Sequence, residues 1–396
     1  MQQKRILMLG PVDFSIDDAP KVHFSNLAKE FSKLGLEVLC VVYAPKKYTI
    51  STVADKPKVV FAPNPLRGNL FLRTLKYIFF IPVLLWNFLK FGPFIVYFRF
   101  SPPAFLYLLF LNLIKIFFNF KIILEFNSWV PEERAIEGEG KLKVKFIDFL
   151  QLKSIALVDH VRVVTPGIKD KMNSLGVDCC KVAVIGNGTD IKHFKPINKK
   201  EAKEKIGLEP DFLYVGFIGN FAVWQGLNYL LQAIPEVLKS HKDVKFLLVG
   251  DGPEMAKIRK AVLELEKEKI ILTGKVPYQE TNLYINAFDI GVAPFIRKRN
   301  ESIGLSPLKI RDYAACGVPI ITTRIRGLEM VEEKNIGVLV PPNDSSALSN
   351  AIIKLIENPD LRIRMGRRGR KVAKKEFSWE NVARKILYKI EKASRA

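Results

Sequence analysis

The chain contains few of the side chains that bind metals or form disulfides. Its 396 residues include four histidines and four cysteines, two of which are adjacent at Cys179 and Cys180. No two histidines are spaced to share one helix face as a metal-binding pair, so the sequence predicts no metal site. The few cysteines indicate reduced thiols and a cytoplasmic setting. His23, in the first loop, is expected at the surface.

The chain also lacks a long uncharged apolar segment. Lys4 and Arg5 lead directly into a predicted strand, which differs from the apolar core of a secretory signal peptide. The two most apolar stretches, residues 69–90 and 104–121, have fewer uncharged residues in a row than the ~18 that a membrane span requires. Pro82 also interrupts the first stretch. The sequence therefore predicts neither a signal peptide nor a membrane-spanning helix.

Acidic residues are scarce relative to basic ones. The chain has 40 Asp and Glu residues against 62 Lys and Arg residues, a net charge of +22. A charge of this sign attracts nucleic acid, anionic lipid or phosphorylated substrates. No nucleic-acid recognition motif accompanies it, and the basic run 362–375 lies on a predicted helix whose charged face can simply be solvated. Nucleic acid is therefore not an expected partner.

Residues 69–90 and 104–121 combine many Phe, Leu and Ile residues with lysines and arginines. Two interpretations remain open: helices that insert shallowly into a bilayer surface, or the buried faces of ordinary α/β helices. The number of aromatic residues favours the first, with the protein peripheral on the inner face of an anionic membrane. The side chains expected at that membrane are Arg73, Lys76, Phe79, Phe80, Trp86, Lys90, Lys115 and Lys121.

The length exceeds that of one ordinary core, so two domains are expected. Short β-branched runs alternate with helical patterns, which is typical of the α/β class. The opening order of strand 4–9, helix 27–34 and strand 36–42 suits a doubly wound domain. Residues 195–210, rich in lysine and glutamate, are the expected linker. Residues 377–393 form a predicted amphipathic last helix.

Residues 301–322 read ESIGLSPLKIRDYAACGVPIIT and indicate an anion-binding helix start. Ser306 is expected to cap a helix with Pro307 in its first turn. A first turn favours acidic residues, so Lys309 suggests that an anion such as a phosphate shares the site. Asp312, one turn further on, can accept hydrogen bonds from a sugar diol. The alternative, equally weighted on this stretch alone, is an exposed Lys309–Asp312 ion pair.

The same stretch resembles the nucleotide-sugar site of the retaining GT-B glycosyltransferases of family four. Members show Glu, seven residues and Glu, followed by an Ala-Cys-Gly-x-Pro tail that residues 315–319 match. Counting back from the tail places Asp312 at the second acidic position, whereas counting forward from Glu301 places Lys309 there. We follow the count from the tail, which assigns Asp312 to the second acidic position. The resemblance implies that Glu301 touches the donor sugar, although the two counts disagree.

Further segments resemble the family in the family's order. They are the strand and glycine at 213–219, the Gly-x-Gly-Pro turn that ends at Pro253, the segment 270–277 and the strand 289–294. Members usually carry Arg and Lys at the positions of Asn220 and Gln225, and both contact the donor phosphates. Both residues are neutral here, which is a further reason to expect Lys309 at the phosphates.

In the N-terminal half, residues 122–127 and 182–190 resemble the cleft strand and the closing segment of the family's first domain. Many relatives carry a histidine where Asn127 stands. Glu125 and Asn127 are therefore candidates to bind the sugar or the acceptor. An ordinary strand-end hydrogen-bond pair is an equally good explanation of the two residues.

The resemblance implies an α/β GT-B fold with two Rossmann-like doubly wound domains that face a central cleft. The expected domains are 1–200 for the acceptor, 201–375 for the nucleotide sugar, and a helix 376–396 that returns to the first domain. The expected catalytic residues are Lys309, Glu301 and Asn127. The expected donor-binding residues are Gly219, Asn220, Gln225, Gly252, Val276, Ser306, Leu308, Lys309 and Asp312.

The implied reaction transfers a sugar with retention from a nucleoside diphosphate sugar to a hydroxyl group. The expected acceptor is a lipid-linked or cell-envelope glycan, and no metal or other cofactor is expected beside the nucleotide-sugar co-substrate. One alternative is a non-catalytic nucleotide-sugar-binding or scaffold subunit on the same fold, which the neutral Asn220 and Gln225 keep open. A GT-B phosphorylase is a weaker alternative, because it would usually need a longer chain and a pyridoxal lysine motif.

Overall fold

The computed structural model describes residues 4–13, 19–44, 57–63, 70–102, 104–136 and 138–393. The chain forms two compact units, which are Met1–Gly186 with Val382–Ala396, and Asn187–Asn381. The sequence placed this division at residue 200. The residues expected to be a linker instead include a helix, Lys199–Lys205, whose Lys203 pairs with Asp289 at 3.1 Å inside the second unit.

The first unit is built on a parallel sheet. Its described strands are β1 Arg5–Asp13, β2 Glu37–Ala44, β3 Lys58–Pro63, β4 Ile95–Arg99, β5 Lys121–Phe126, β6 His160–Val163 and β7 Val182–Val184. Its helices are α1 Ala19–Lys33, α2 Leu70–Phe91, α3 Ala104–Ile114, α4 Val130–Ile136, α5 Lys141–Ala156 and α6 Pro166–Ser174. The strand order is β3-β2-β1-β4-β5-β6-β7, so the chain changes direction across the sheet beside β1.

The second unit repeats this plan with a smaller sheet. Its strands are β8 Leu213–Ile218, β9 Val244–Val249, β10 Ile270–Gly274, β11 Ile290–Ala293, β12 Ile320–Thr323 and β13 Gly337–Val340, in the order β10-β9-β8-β11-β12-β13. Its helices are α7 Lys199–Lys205, α8 Leu227–Ser240, α9 Met255–Leu263, α10 Thr281–Ala287, α11 Arg297–Ile303, α12 Leu308–Cys316, α13 Met330–Glu333, α14 Ser345–Ile356 and α15 Pro359–Val372. A π turn, Ala373–Phe377, leads into α16 Trp379–Ala393.

The predicted class, α/β with two doubly wound parallel sheets, is confirmed. Strands such as β9 and β11 are buried along almost their whole length, because helices cover both faces of a parallel sheet. In such sheets ligands bind beyond the carboxyl ends of the strands, where the strand order reverses. In the second unit this place lies after β8 and β11.

In the apolar stretch 104–121 the helix is shorter than expected. Helix α3 ends at Ile114, and Lys121 already begins β5. Nζ of Lys115 and Nζ of Lys121 lie 2.7 and 3.8 Å from the carboxylate of Asp159, and the contact of these lysines with anionic lipid stays a prediction. No helix among the described residues is long and apolar enough to cross a membrane.

Candidate functional site

The loop that follows β8 passes tightly beneath a lysine side chain. Gly219 has a φ of +140°, and a Cβ on this residue would lie 2.8 Å from Nζ of Lys309. The turn after β9 packs equally tightly against the same loop, because a Cβ on Gly252 would lie 2.2 Å from Oδ1 of the exposed Asn220. Both positions therefore require glycine: Gly219 brings the end of β8 up to Lys309, and Gly252 lets the turn after β9 pack against the loop that follows β8.

Lys309 lies in the first turn of α12 and points to the end of β8. Its Nζ donates to Oε1 of Gln225 at 2.8 Å and lies 3.6 Å from the centre of the Phe217 ring. Burial lowers the pKa of Lys309 well below its ordinary value, and the charge of Asp312 only partly opposes this. In the described part of the chain, no carboxylate lies within ion-pair distance of this ammonium. The described residues therefore supply no counter-ion for Lys309.

The start of α12 differs from the predicted capping. The N-cap residue is Pro307, and no side chain caps the helix. The hydroxyl of Ser306 instead accepts a hydrogen bond from the backbone N–H of Asn187 at 3.0 Å, and the Asn187 amide donates to the Ser306 carbonyl. The first N–H groups of α12, starting at Leu308, are consequently not capped by Ser306.

Asp312 lies one turn beyond Lys309 and is largely shielded from solvent. Its Oδ1 accepts a hydrogen bond from the hydroxyl of Thr189 at 2.6 Å. Burial raises the pKa of Asp312 to about 7, although the Thr189 hydrogen bond and the Arg311 charge oppose the rise. No Lys309–Asp312 ion pair forms among the described residues, and neither side chain is exposed. The surface-pair alternative is therefore wrong.

Glu301 does not join this group. It lies on the exposed face of α11, where its carboxylate is 3.5 Å from Nε of Arg297. The alternative count, back from Asp312, places the first acidic position at Gly304. That residue has a φ of +72°, and a Cβ there would lie 2.6 Å from the Arg326 carbonyl oxygen. Neither count supplies a carboxylate near Lys309.

Of the remaining predicted donor residues, Gln225 joins Lys309 and Val276 does not. Gln225 contacts Lys309, as described above. Val276 is half-buried and packs against the core of the second unit. No hydrogen bond or ion pair among the described residues connects Val276 with Lys309 or Asp312. The group that the structure assembles is therefore Gly219, Gln225, Lys309 and Asp312.

In the first unit, a buried polar network lies at the carboxyl ends of β4, β5 and β6. Glu125, almost inaccessible to solvent, accepts from Nη1 of Arg162 at 2.5 Å and lies 3.1 Å from Nε2 of His23. Its carboxylate also accepts hydrogen bonds from the Tyr97 hydroxyl and from the Asn127 amide. His23 is therefore buried, against the expectation of a surface histidine, because the Glu125 carboxylate gives it a partner.

The charges of this network are compensated within it. Burial opposes the ionisation of Glu125, yet His23 and Arg162 hold its pKa well below the ordinary value. Burial also lowers the pKa of His23. Arg162 further donates to the carbonyl groups of Ile185 and Gly186, both at 3.0 Å. The network thus fixes Asn127 and the residues Ile185 and Gly186, where the chain leaves the first unit.

Sequence reasoning did not find Thr189, Arg162 or Phe217. Each acts through a partner far away in the sequence, as Thr189 does with Asp312 and Arg162 with Glu125. The only signal available from sequence was the charged residue Arg162 within a β-strand pattern, since a buried charge requires a partner.

Two other features of the described residues do not add to this site. A groove of about 580 Å³ lies between α8 and α9, and its lining includes Leu227, Gln232 and Ile258. It contains neither Lys309 nor Asp312. Asp178, Cys179 and Cys180 lie close enough to offer ligand atoms to one metal ion, but all three are exposed.

Comparisons with known protein families agree with this division into two units. Residues 21–193 match the family model described as Glycosyltransferase Family 4. Residues 212–358 match the model described as Glycosyl transferases group 1. The two matches support the assignment of the chain to the GT-B glycosyltransferases of family four.

Curated relatives match over part of their length. An uncharacterised glycosyltransferase of Methanocaldococcus jannaschii is 32% identical over 179 residues, which cover 45% of this chain and 48% of that protein. A GDP-mannose-dependent monoacylated alpha-(1-6)-phosphatidylinositol monomannoside mannosyltransferase of Corynebacterium glutamicum is 26% identical over 205 residues, or 50% and 53% of the two chains. The chain thus spans about half the length of these relatives.

Solved structures match over nearly the whole chain and show the fold. Sucrose-phosphate synthase from Thermosynechococcus elongatus superposes with a TM-score of 0.79 at 20% identity, covering 99% of this chain and 100% of that one. HepE of Anabaena, in complex with UDP-glucose, gives a TM-score of 0.75 at 16% identity and covers 98% and 99%. The fold is therefore GT-B.

Proposed function

We propose that this GT-B chain transfers a sugar, with retention, from a nucleoside diphosphate sugar to an acceptor hydroxyl. The observation that carries the proposal is the Lys309 ammonium, held by a neutral amide and an aromatic ring at the strand-order reversal of the second unit. A cation whose pKa is lowered by burial lacks a negative partner, and a diphosphate would supply one.

The second unit would hold the donor. Lys309 and the first N–H groups of α12 would bind the diphosphate, close to Gly219, where no side chain stands in the way. As the sugar departs, negative charge grows on the leaving diphosphate, and Lys309 would stabilise it electrostatically. Asp312 would accept hydrogen bonds from the ribose diol through the carboxylate oxygen that Thr189 does not occupy. Val276 remains the proposed neighbour of the base.

The first unit would present the acceptor. Asn127 is held by the ionised Glu125, so its side-chain carbonyl oxygen remains available to accept a hydrogen bond from a sugar or acceptor hydroxyl. Glu125 itself is occupied by its partners and would act as a support. Glu301, exposed and paired with Arg297, has no structural support for contact with the donor sugar.

A panel of nucleoside diphosphates and nucleotide sugars tests the donor proposal. A ligand present at about 100 times its Kd should stabilise the protein by about 2.7 kcal/mol, measured as a rise in the melting temperature. Uridine and guanosine compounds are the first candidates, because UDP-glucose and GDP-mannose are named with a structural neighbour and a relative. If no member of the panel raises the melting temperature, the donor site is refuted.

The alternative, a non-catalytic subunit that binds the nucleotide sugar, is favoured by the neutral Asn220 and Gln225. Slow hydrolysis of the bound nucleotide sugar separates the two functions, because an enzyme activates the sugar–phosphate bond and a binding subunit does not. The hydrolysis should disappear when Lys309 is replaced by Met. Tight binding without hydrolysis or transfer to any glycan acceptor would favour the alternative.

We further propose that the first unit binds an anionic membrane surface, which would give access to a lipid-linked or cell-envelope glycan. One support is α5, where Leu142, Phe146 and Phe149 share one helix face and are 85%, 60% and 52% exposed. Lys145 lies on the same helix and is also exposed. Another is the predicted stretch 104–121, where Ile116 and Phe117 are 71% and 78% exposed. Exposed aromatic side chains beside lysines suit the headgroup layer of an anionic bilayer.

The structure changes which side chains of α2 can take part. Phe80 is only 3% exposed and belongs to the core, whereas Trp86 and Lys90 are exposed. The side chains of Phe79, Arg73 and Lys76 lie outside the described residues. Helix α5, which the sequence did not single out, therefore replaces Phe79 and Phe80 as the segment to test.

Vesicle co-sedimentation tests the membrane proposal. Replacement of Leu142, Phe146 and Phe149 by Ser should lower binding to vesicles that contain anionic lipid, while the melting temperature changes little because the side chains are exposed. Leu263→Ser, an equally exposed apolar residue of the second unit, is the matched control. Wild-type protein that ignores anionic vesicles at low salt would contradict the proposal.

A further inference from the structure

The chain crosses between its two units twice. Within the second unit, the two crossing segments are hydrogen-bonded to each other. The chain leaves the first unit at Gly186 and returns to it at Val382. Just inside the second unit, Thr189 and Ser378 form a parallel bridge. The N–H of Thr189 donates to the Phe377 carbonyl at 2.7 Å, and the Trp379 N–H donates to the Thr189 carbonyl at 3.4 Å. Thr189 is therefore fixed by its backbone.

The side chain of Thr189 reaches from this bridge to the donor helix. Its hydroxyl donates to Oδ1 of Asp312 at 2.6 Å, and Thr189 is 2% exposed. When Asp312 is ionised, the hydroxyl donates to Oδ1 and leaves Oδ2 to other partners. Among the described residues, Oδ2 has no hydrogen-bond partner of its own. Thr189 thus determines which oxygen of Asp312 is offered to a ligand.

We propose that Thr189 is a positioning residue for the donor: its hydroxyl orients Asp312 and favours the ionised carboxylate, whose free oxygen then accepts a hydrogen bond from a donor hydroxyl. The inference rests on the proposed function, in which Asp312 binds the ribose. The backbone bridge makes the arrangement rigid, since Thr189 cannot move without breaking its contacts with Phe377 and Trp379.

The electrostatic surroundings give this hydroxyl a measurable effect. Burial raises the pKa of Asp312 to about 7, and Asp190 adds to the rise, while Thr189, Arg311 and Lys309 oppose it. Cys316, on the next turn of α12, has a thiol pKa raised well above its ordinary value by burial and stays neutral. Near neutral pH, a modest change in any of these groups therefore changes the fraction of Asp312 that is ionised.

Thr189→Val tests the inference, because it replaces the hydroxyl by a methyl group of similar shape. The pKa of Asp312 should rise by about one unit, the effect of losing a hydrogen bond to a charged group. Binding of UDP-glucose or GDP-mannose, whichever the panel selects, should strengthen as the pH rises through about 7 in the wild type. In the variant this midpoint should move up by about one unit, and the affinity at pH 7 should fall about fivefold.

Thr189→Ser is the matched control, since it keeps the hydroxyl and should keep the wild-type midpoint. Nucleotide sugars suit the titration because their diphosphate has no proton that titrates near neutrality. If Thr189→Ser behaves like Thr189→Val, or if both match the wild type, the positioning role is overturned.

A second readout does not depend on the donor. The carbon-13 signal of the Asp312 carboxyl group, assigned with Asp312→Asn, can be titrated in the unliganded protein. A higher pKa in Thr189→Val than in the wild type supports the inference even if no nucleotide sugar binds, in which case only the proposed function fails. An unchanged pKa overturns the inference whatever the binding results.

Discussion

Replacement of Lys309 by Met removes the ammonium and keeps most of the apolar stem. In the unliganded protein this change should raise stability near neutral pH. The lowered pKa means that the unfolded chain binds the proton more tightly than the folded one, so the charge costs folding free energy. The contacts with Gln225 and Phe217 evidently do not offset the loss of hydration.

The replacement of Lys309 by Met should also change how the free energy of unfolding depends on pH. Below the lowered pKa of Lys309 the whole cost is present, and it is relieved as the pH rises towards the ordinary value of 10.5. This gain of wild-type stability at alkaline pH should be absent from Lys309→Met. Each 1 kcal/mol should shift the melting temperature by about 2–4 °C for a unit of this size.

Lys309→Met should raise the stability of the unliganded protein but lower its affinity for the diphosphate. Loss of a charge-assisted contact with the diphosphate should weaken binding by about 1.5–3 kcal/mol, or roughly 10–150-fold. A ligand that stabilises the wild type by about 2.7 kcal/mol would then stabilise the variant by only about 0.3–1.4 kcal/mol at the same concentration. Differential scanning calorimetry, with and without the nucleoside diphosphate, measures both effects.

Lys257→Met is the control, because Lys257 is an exposed lysine of the same unit that pairs with Glu254 at the surface. This replacement should change neither the melting temperature of the unliganded protein nor the affinity for the diphosphate by much. Unchanged diphosphate affinity in Lys309→Met would remove Lys309 from the phosphate site. A lower melting temperature without ligand would show that the contacts with Gln225 and Phe217 outweigh the cost of burying the charge.

Two further variants test the same group. Asp312→Asn should weaken nucleoside diphosphate binding by about 1–3 kcal/mol but leave inorganic pyrophosphate binding nearly unchanged, since pyrophosphate has no ribose; equal losses in calorimetric titrations would assign Asp312 a structural role. Gln225→Lys should destabilise the unliganded protein, because it places a second cation about 3 Å from the Lys309 ammonium, and added diphosphate should restore the melting temperature. Gln225→Glu, which supplies an internal counter-ion, should instead weaken diphosphate binding, and stronger binding would contradict the phosphate role of Lys309.

The sequence predicted the local elements of the second unit closely. Strands Leu213–Ile218 and Ile290–Ala293 lie within the predicted segments 213–219 and 289–294, because each is a short, mostly buried apolar run. The helix that carries Lys309 and Asp312 was also expected, and it ends at Gly317 with a φ of +73°. Such features depend on neighbours in the sequence, which is why pattern reasoning finds them.

Contacts across long sequence separations were not predictable. Gln225 meets Lys309 from 84 residues away, and Thr189 meets Asp312 from 123 residues away. The same limit explains the failed capping prediction, because the Ser306 hydroxyl found a competing donor in Asn187. Glu301 fitted a spacing rule but lies on an exposed helix face, which a one-dimensional count does not reveal.

The order in which the chain is synthesised differs from the order in which its units can be completed. The second unit is one continuous segment, whereas the first needs residues from Val382 onwards. At about 5–20 residues per second, roughly 10–40 s pass between the emergence of Gly186 and that of Val382. During this interval the positions that α16 covers with Ile386 and Ile390 remain open to solvent or to a chaperone. The nascent chain should therefore finish its C-terminal unit before its N-terminal one.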